Sequence, residues 1–346
     1  MMERREFIHT AIISALATAM QPTLAFAQSK TGMHKPPRLR AGQTVGLIAP
    51  SSNVMENQDI GFAIDILKSF GFKVKTGQHL YARHGYLAGE DQVRAADVNA
   101  MFKDPDVDAI FCLRGGYGSP RILPYLDYAS IAKHPKVIIG YSDVTALLNA
   151  IYTQTGMVTF HGPIAAQNFT DYTLSQFKQV LFDAQAATIA APPAFETAEG
   201  RAERDNRITV ITPGVAEGKL IGGNLSLMVK LVGTPYEPDY RGNILILEDV
   251  SEAPYRIDGM LTHLKLAGKL QQLAGIAFGK CSDCEIDGNS LSIEQVLNDH
   301  LQPLGIPVIR GLMIGHIDDL ATIPIGVRAR LDTSQPAIQL LESGVS

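Results

Sequence analysis

Val137-Ile138-Ile139-Gly140-Tyr141-Ser142-Asp143-Val144-Thr145-Ala146-Leu147-Leu148-Asn149-Ala150-Ile151 is the stretch that decides the fold of this 346-residue chain. Its three leading β-branched residues predict a buried parallel strand, and the apolar spacing after Val144 predicts a helix. The residues between them form a tight turn. Ser142 therefore lies at a strand-to-helix corner, where a hydroxyl is exposed at the carboxyl end of a sheet.

Ser142 has two interpretations at this corner. In the first it is a nucleophile, and the amides that open the helix stabilise an oxyanion. In the second, Ser142 or Asp143 only caps the helix, as such residues commonly do. The full nucleophile-elbow motif has a glycine two residues after the serine, whereas this chain has Val144 there. The stretch alone leaves both interpretations open.

The sequence before this stretch alternates strand and helix patterns. Strands are predicted at 45–52, 72–74 and 108–113, and helices at 60–70 and 91–102. This alternation predicts an α/β fold with a doubly wound parallel sheet in the N-terminal half. Loops that follow the strands build the site in such sheets, so residues 50–52, residues 114–116 and Ser142 are expected at one edge.

Gly115 and Gly116 follow the third predicted strand directly. The chain has no G-x-G-x-x-G after its first strand and no Gly-Lys-Ser/Thr, so no dinucleotide or P-loop site is predicted. The glycine pair is either a plain tight turn or a source of backbone amides. In the second case, the amides of Gly115, Gly116 and Asp143 form an oxyanion hole.

The second half begins after a segment of low periodicity. We predict a leader at 1–27, an N-terminal domain at 28–183, a linker at 184–214 and a C-terminal domain of mixed strands and helices at 215–346. In the last domain, Gly222 and Gly223 are interpreted as a turn between a strand and a helix.

Two polar residues of the second half follow apolar runs. Glu248 ends one run and His316 ends another. Each has an ordinary alternative. Glu248 would be a solvated or capping carboxylate, and His316 would be a loop histidine whose hydrogen bonds are satisfied. Together with Ser142, however, they supply the nucleophile, the base and the orienting carboxylate that a base-activated serine requires.

The first 27 residues have the pattern of an export signal. Arg4-Arg5 stands in a charged head, an Ala-rich apolar run follows, and Ala25-Phe26-Ala27 is a cleavage site. This predicts a twin-arginine signal and a periplasmic protein, and the alternative is an amphipathic helix with a chance arginine pair. No stretch approaches about 18 apolar residues, so an integral membrane protein is not expected.

Composition narrows the function further. The formal net charge is −5 and no basic cluster follows Arg40, which argues against nucleic acid as a partner. Three cysteines do not make a disulfide framework. The Cys281-x-x-Cys284 pair has no second pair with which to form a zinc site, so it allows one disulfide at most.

With these features in place, the sequence resembles the LD-carboxypeptidase family of serine peptidases, the muramoyltetrapeptide carboxypeptidases, which are related to the microcin C self-immunity peptidases. The resemblance covers nearly the whole chain after the leader. Seven short motifs in order carry it, at 114–118, 140–143, 161–163, 222–225, 247–250, 255–258 and 315–316.

The resemblance implies an N-terminal sheet like that of the class I glutamine amidotransferases and a Ser-Glu-His triad of Ser142, Glu248 and His316. It further implies a homodimer that needs no metal or organic cofactor, and hydrolysis of murein tetrapeptides between the L-centre of diaminopimelate and the terminal D-Ala. Murein-recycling members work in the cytoplasm without a signal, so an exported member would meet tetrapeptide stems elsewhere.

Some expectations stay open at this point. Arg114 and Arg256 lie near motif positions. Two roles are open for each of them: binding of the substrate's terminal carboxylate, or a salt bridge within the scaffold. The triad does not choose the acyl group, so a related peptidase or amidase acting on another peptide-like conjugate is one alternative. A periplasmic solute-binding protein without chemistry is another.

Overall fold

The computed structural model describes residues 32–189 and 191–346, so the predicted leader lies outside the described residues. The strands of the described residues are β1 (Thr44–Ile48), β2 (Lys73–Thr76), β3 (Ala109–Cys112), β4 (Val137–Gly140), β5 (Thr159–His161), β6 (Thr188–Ile189), β7 (Thr209–Thr212), β8 (Val215–Asn224), β9 (Ile244–Val250), β10 (Gly275–Ser282), β11 (Val308–Arg310), β12 (Ile323–Ile325), β13 (Arg328–Asp332) and β14 (Ala337–Leu340).

The α-helices are α1 (Asn57–Ser69), α2 (Asp91–Lys103), α3 (Ser119–Ile122), α4 (Tyr128–Lys133), α5 (Val144–Thr155), α6 (Asp171–Leu181), α7 (Leu225–Leu231), α8 (Pro254–Leu266) and α9 (Ile293–Leu301). Short 3₁₀ turns lie at Leu123–Tyr125, Leu270–Gln272 and Gln302–Leu304.

The first sheet contains six strands in the order β12-β5-β4-β3-β1-β2. All neighbours are parallel except β12, which runs antiparallel to β5. Helices α1 and α6 pack on one face, and α2, α4 and α5 pack on the other. Both faces of β4 are therefore buried, which explains why it consists of aliphatic residues without alternation. The predicted doubly wound parallel sheet is confirmed.

The second sheet contains eight strands in the order β6-β14-β13-β8-β9-β10-β11-β7. Strands β8 to β11 are parallel, and the outer strands pair antiparallel. Helices α7, α8 and α9 bury their apolar residues in one common core with β9 and β10. The prediction of mixed β and α structure in this half is confirmed.

The two sheets are joined by helix α5, which follows the deciding stretch. The Asn149 side chain donates to Gly222 O at 2.9 Å and accepts from Gly222 N at 3.1 Å. Thr145 Oγ1 accepts from Asn224 N at 3.0 Å. Because both contacts are buried, α5 fixes the end of β8 against the first sheet.

Three features differ from the predictions. The segment expected to be a linker contains β6 and β7, which pair with opposite edges of the second sheet. Gly222 and Gly223 are not in a turn, because β8 continues through Asn224 with positive φ at both glycines. Strand β12, near the end of the chain, belongs to the first sheet. Each difference depends on pairing with strands distant in sequence, which local patterns do not encode.

Cys281 and Cys284 form a disulfide at the end of β10, while Cys112 is buried as a free thiol. Burial raises the pKa of the Cys112 thiol, so this cysteine stays neutral and packs as a small apolar residue.

Within residues 32–189 and 191–346, no helix is both long and apolar enough to cross a membrane.

Candidate active site

Ser142 stands at the corner between β4 and α5 with a φ of +62°. A left-handed conformation is costly for a residue with a Cβ, on the order of 1–3 kcal/mol, and persists only where the surroundings enforce it. Here β4 ends at Gly140 and α5 begins at Val144, so the turn has no room to relax. The turn between β4 and α5 therefore places the Ser142 hydroxyl at the carboxyl edge of the first sheet.

The structure brings Ser142, His316 and Glu248 together in one hydrogen-bonded row. His316 Nε2 lies 2.9 Å from Ser142 Oγ, and His316 Nδ1 lies 2.9 Å from Glu248 Oε2. We call these three residues the Ser-His-Glu row. Its geometry is that of a serine with a base in reach and a carboxylate that orients the base.

Glu248 lies near the end of β9 and is fully buried. Burial raises the pKa of this carboxyl group, and the hydrogen bond to His316 opposes the shift. The carboxylate is therefore isolated from water and directed at one partner. Beside it, Asn224 donates to Asp249 at 3.0 Å, which fixes the ends of β8 and β9 together.

The capping interpretation of the corner does not describe the structure. Asp143 is at the N-cap position of α5, but its side chain makes no capping bond to that helix. Its Oδ2 instead accepts from the backbone amide and the hydroxyl of Ser119, each at 2.7 Å. The Asp143 carboxylate thus anchors the start of α3, and Ser142 is left to contact His316.

Gly115 lies directly against Ser142, and Gly116 follows it against Ser52. A Cβ on Gly115 would stand 2.7 Å from Ser142 Cβ and 3.1 Å from its hydroxyl oxygen, so only glycine fits there. Gly116 has a φ of +106° and packs on Ser52. In the part of the chain that the structure describes, no protein acceptor takes the amides of Gly115, Gly116 or Asp143. These amides are free to face an incoming ligand.

The two candidate arginines lie in different places. Arg114 is next to Gly115, is half-buried, and donates to Asn53 O at 3.1 Å, with no carboxylate partner among the described residues. Arg256 is exposed on α8, 3.6 Å from Glu252, and lines a polar cleft that contains no member of the Ser-His-Glu row. Arg114 is thus placed at the site, and Arg256 is not.

Two residues near the row were not singled out from the sequence. The Tyr141 ring packs edge-on against His316 with ring centroids 5.0 Å apart, and burial raises the Tyr141 pKa to about 12. His161 is fully buried at the end of β5, and burial lowers its pKa to about 3. Both belong to the short motifs named above, which was the available signal.

A cleft of about 490 Å³ opens beside His316. It is lined by Tyr141, Gln167, Asn168, Thr170, His316, Ile317 and Asp318. Among the described residues, no three His, Cys, Asp or Glu side chains are grouped so that they could hold a metal ion.

Both halves of the chain match one known protein family. The profile of the LD-carboxypeptidase N-terminal domain matches residues 45–162, and that of the C-terminal domain matches residues 217–331. The chain belongs to the LD-carboxypeptidase family. This confirms the family predicted from the sequence and the predicted enzyme class, a serine carboxypeptidase.

This LD-carboxypeptidase matches its relatives over almost their whole length. A probable murein peptide carboxypeptidase of Bacillus subtilis is 42% identical over 90% of this chain and 96% of its own. The solved structure of the microcin C7 self-immunity protein MccF superposes with a TM-score of 0.81 at 28% identity, over 90% of this chain and 100% of MccF. A muramoyltetrapeptide carboxypeptidase from Oxalobacter formigenes superposes with a TM-score of 0.72 at 32% identity, over 86% of this chain and 98% of its own.

Proposed function

We propose that this LD-carboxypeptidase removes the terminal D-Ala from murein tetrapeptides, at the bond to the L-centre of diaminopimelate. The observation that carries the proposal is the Ser-His-Glu row. Hydrogen bonds of 2.9 Å join Ser142 to His316 and His316 to Glu248, and Ser142 has a positive φ. The Bacillus and Oxalobacter relatives, a probable murein peptide carboxypeptidase and a muramoyltetrapeptide carboxypeptidase, support the murein substrate class.

In this mechanism His316 Nε2 accepts the proton of Ser142 as the serine oxygen attacks the scissile carbonyl. The imidazolium then donates that proton to the amine of the departing D-Ala, which leaves an acyl-enzyme ester on Ser142. A water molecule, deprotonated by His316, hydrolyses the ester and restores the serine. Glu248 fixes the tautomer of His316 and stabilises the imidazolium through Nδ1.

The oxyanion that forms in each step needs hydrogen-bond donors. We assign this role to the amides of Gly115, Gly116 and Asp143. Gly115 contacts Ser142, Gly116 and Asp143 are the next residues of the two chain segments, and no protein acceptor of the described residues takes the three amides. Arg114 is the guanidinium within reach of the same loop, and we assign it to a substrate carboxylate, the terminal one. Arg256 receives no role in this mechanism.

The test is incubation of the purified enzyme with free tetrapeptide, followed by mass spectrometry for the loss of one alanine. Ser142→Ala is the control, since it removes the attacking oxygen and takes away no other atom at this corner. Its turnover should fall by about three orders of magnitude or more. Residual activity within about tenfold of wild type would mean that Ser142 is not the nucleophile.

A second candidate is hydrolysis of another peptide-like conjugate. The superposition on MccF favours it, because one solved MccF structure holds aspartyl sulfamoyl adenosine. A peptidyl nucleotide offered beside the tetrapeptide separates the two candidates by their kcat/KM values. Tight binding of tetrapeptide without any cleavage would instead indicate a solute-binding protein.

We also propose that the protein is exported to the periplasm through residues 1–27 and that it acts as a homodimer. The domains would be centred on residues 28–183 and 215–346, with β6 and β7 of the segment 184–214 part of the second sheet and β12 part of the first. The leader pattern supports export, and the resemblance to the family supports the dimer. In the periplasm the substrate would be a stem on the cell wall or on a freshly released fragment.

A further inference from the structure

The cleft of about 490 Å³ beside His316 adjoins the Ser-His-Glu row, and the mechanism above gives it no role. His316 itself lines the cleft, and His316 Nε2 lies 2.9 Å from Ser142 Oγ. Tyr141, the residue before Ser142, lines it as well. We call this space the His316 cleft. A substrate whose scissile carbonyl is held at Ser142 is therefore at its entrance.

The His316 cleft has a negatively charged wall. Asp318 lines it, and no lysine or arginine is among the residues that do. The Asp318 side chain is exposed and has no hydrogen bond or ion pair with another described residue. Burial is the main cause of the raised Tyr141 pKa, and the negative charges of Glu248 and Asp318 raise it further. The cleft thus attracts a cation and repels an anion.

The loop that carries Asp318 is fixed to the start of α6. Thr173 Oγ1 donates to Asp318 O at 2.8 Å and accepts from Leu320 N at 2.8 Å. Thr170 Oγ1 donates to the Asp319 side chain at 2.5 Å. The backbone of Asp318 is therefore held in place while its carboxylate is left without a partner, which reduces the entropy lost when a ligand binds.

The other lining residues suit an aliphatic chain that ends in an ammonium group. Tyr141 and Ile317 supply apolar surface for methylene groups. The Asn168 side chain has no hydrogen bond with another described residue, so its oxygen can accept one from a ligand. An ammonium has three N–H groups to donate, and a carboxylate and an amide oxygen can take two of them.

We propose that Asp318 binds the side-chain ammonium of diaminopimelate, the residue whose carbonyl Ser142 attacks. This inference rests on the proposed function. The ammonium nitrogen is five bonds from the α-carbon of the L-centre, roughly 6 Å in an extended chain. Asp318 is two residues beyond His316, at most about 7 Å along the backbone. The two lengths match.

The departing D-Ala does not fit the His316 cleft. It ends in a carboxylate, which the charge of Asp318 would repel. Asp318 therefore selects the residue that remains on the enzyme as the acyl group, and it makes the enzyme specific for a cationic side chain at that position.

The test uses two tetrapeptides that differ in one amine. One contains diaminopimelate, and the other contains L-2-aminopimelate, which keeps the chain length and the distal carboxylate. We expect wild-type kcat/KM to be about tenfold higher for the diaminopimelate peptide, as one charged hydrogen-bonded pair provides. In Asp318→Asn the ratio of the two values should fall to about one, mainly through KM. Added salt should reduce the wild-type ratio.

Two further variants serve as controls. Asp318→Glu keeps the charge and should retain a ratio well above one. Asp171→Asn removes a carboxylate that is exposed at the start of α6 and does not line the cleft, so it should keep the wild-type ratio. A wild-type ratio of one, an unchanged ratio in Asp318→Asn, or an equal loss in Asp171→Asn would overturn the proposal.

Binding separates this inference from the proposed function. Calorimetry with the Ser142→Ala enzyme should show tighter binding of the diaminopimelate peptide, and adding Asp318→Asn should remove the difference. If the wild type cleaves neither peptide and this binding pattern is still found, the proposed reaction fails and the role of Asp318 holds. If both peptides are cleaved and bound equally well, the reaction holds and the role of Asp318 is wrong.

Discussion

At the scale of single residues, the most constrained group is the Glu248 carboxylate, because it is fully buried and directed at His316. Glu248→Gln keeps the shape and a hydrogen bond but removes the charge that stabilises the imidazolium. We expect kcat to fall by orders of magnitude with a small change in KM, the pattern of a group that acts in the transition state. Steady-state kinetics on the tetrapeptide measures both constants.

A double mutant tests whether Glu248 acts through His316. His316→Ala should be at least as damaging as Glu248→Gln, and the double mutant should be hardly worse than His316→Ala alone, since the two side chains act as a unit. If the two losses multiplied, the residues would work independently and the assigned roles would be wrong.

His161 gives a pH dependence of stability. Burial lowers its pKa to about 3, whereas an unfolded histidine titrates near 6.5. Between these values the unfolded chain binds the additional proton, so the free energy of unfolding falls as the pH is lowered, by at most about 1.4 kcal/mol per pH unit from this residue. Urea unfolding of wild type and His161→Gln at pH 7, 6 and 5 measures the difference in slope. Parallel slopes would contradict the assignment.

At the scale of elements, the most restrictive contact is the approach of β8 to β9 at Gly222. A Cβ there would lie 2.1 Å from Ile246 O, and the φ of +116° also disfavours a side chain. Gly222→Ala should therefore lower the free energy of unfolding by more than about 2 kcal/mol. Urea unfolding followed by circular dichroism gives the value.

Gly259 provides the matched control. It lies inside α8, and a Cβ there would meet nothing within 4 Å. Gly259→Ala should raise the free energy of unfolding by about 0.5–1 kcal/mol, because alanine favours a helix. If Gly222→Ala leaves the free energy of unfolding as high as Gly259→Ala does, β8 tolerates a side chain at Gly222 and the prediction is wrong.

The elements also show how far local patterns can be interpreted. The strand and helix around Ser142 were predictable because aliphatic runs and helical spacing are properties of neighbouring residues. Strands β6 and β7 were not, because each is a short edge strand whose only support is a partner from another part of the chain. The glycines of β8 were assigned to a turn for the same reason, since their positive φ serves contact with β9 and not a reversal of the chain.

The site was predictable to a similar degree. The order Ser142, Glu248, His316 and the glycines at 115–116 can be seen in the sequence, because each follows an apolar run. The anchoring of α3 by Asp143 and the burial of His161 were not visible, since they depend on side-chain packing across elements. The different positions of Arg114 and Arg256 depend on the same packing.

At the scale of the whole molecule, the leader pattern in the sequence predicts that export depends on two arginines. Twin-arginine recognition requires the arginine pair, so Arg4→Lys together with Arg5→Lys should leave the precursor in the cytoplasm. Fractionation and immunoblotting of the two compartments checks this. A periplasmic fraction equal to that of the unchanged protein would contradict the assignment.

The position of β12 has a consequence for protein synthesis. This strand completes the edge of the first sheet, although 161 residues separate its first residue from the end of β5. The ribosome makes Ser142 first, Glu248 next, and His316 only a few residues before β12. A chain released before residue 316 would lack the residue we assign as the base. Such products of interrupted translation would therefore be unable to hydrolyse the cell's own peptides.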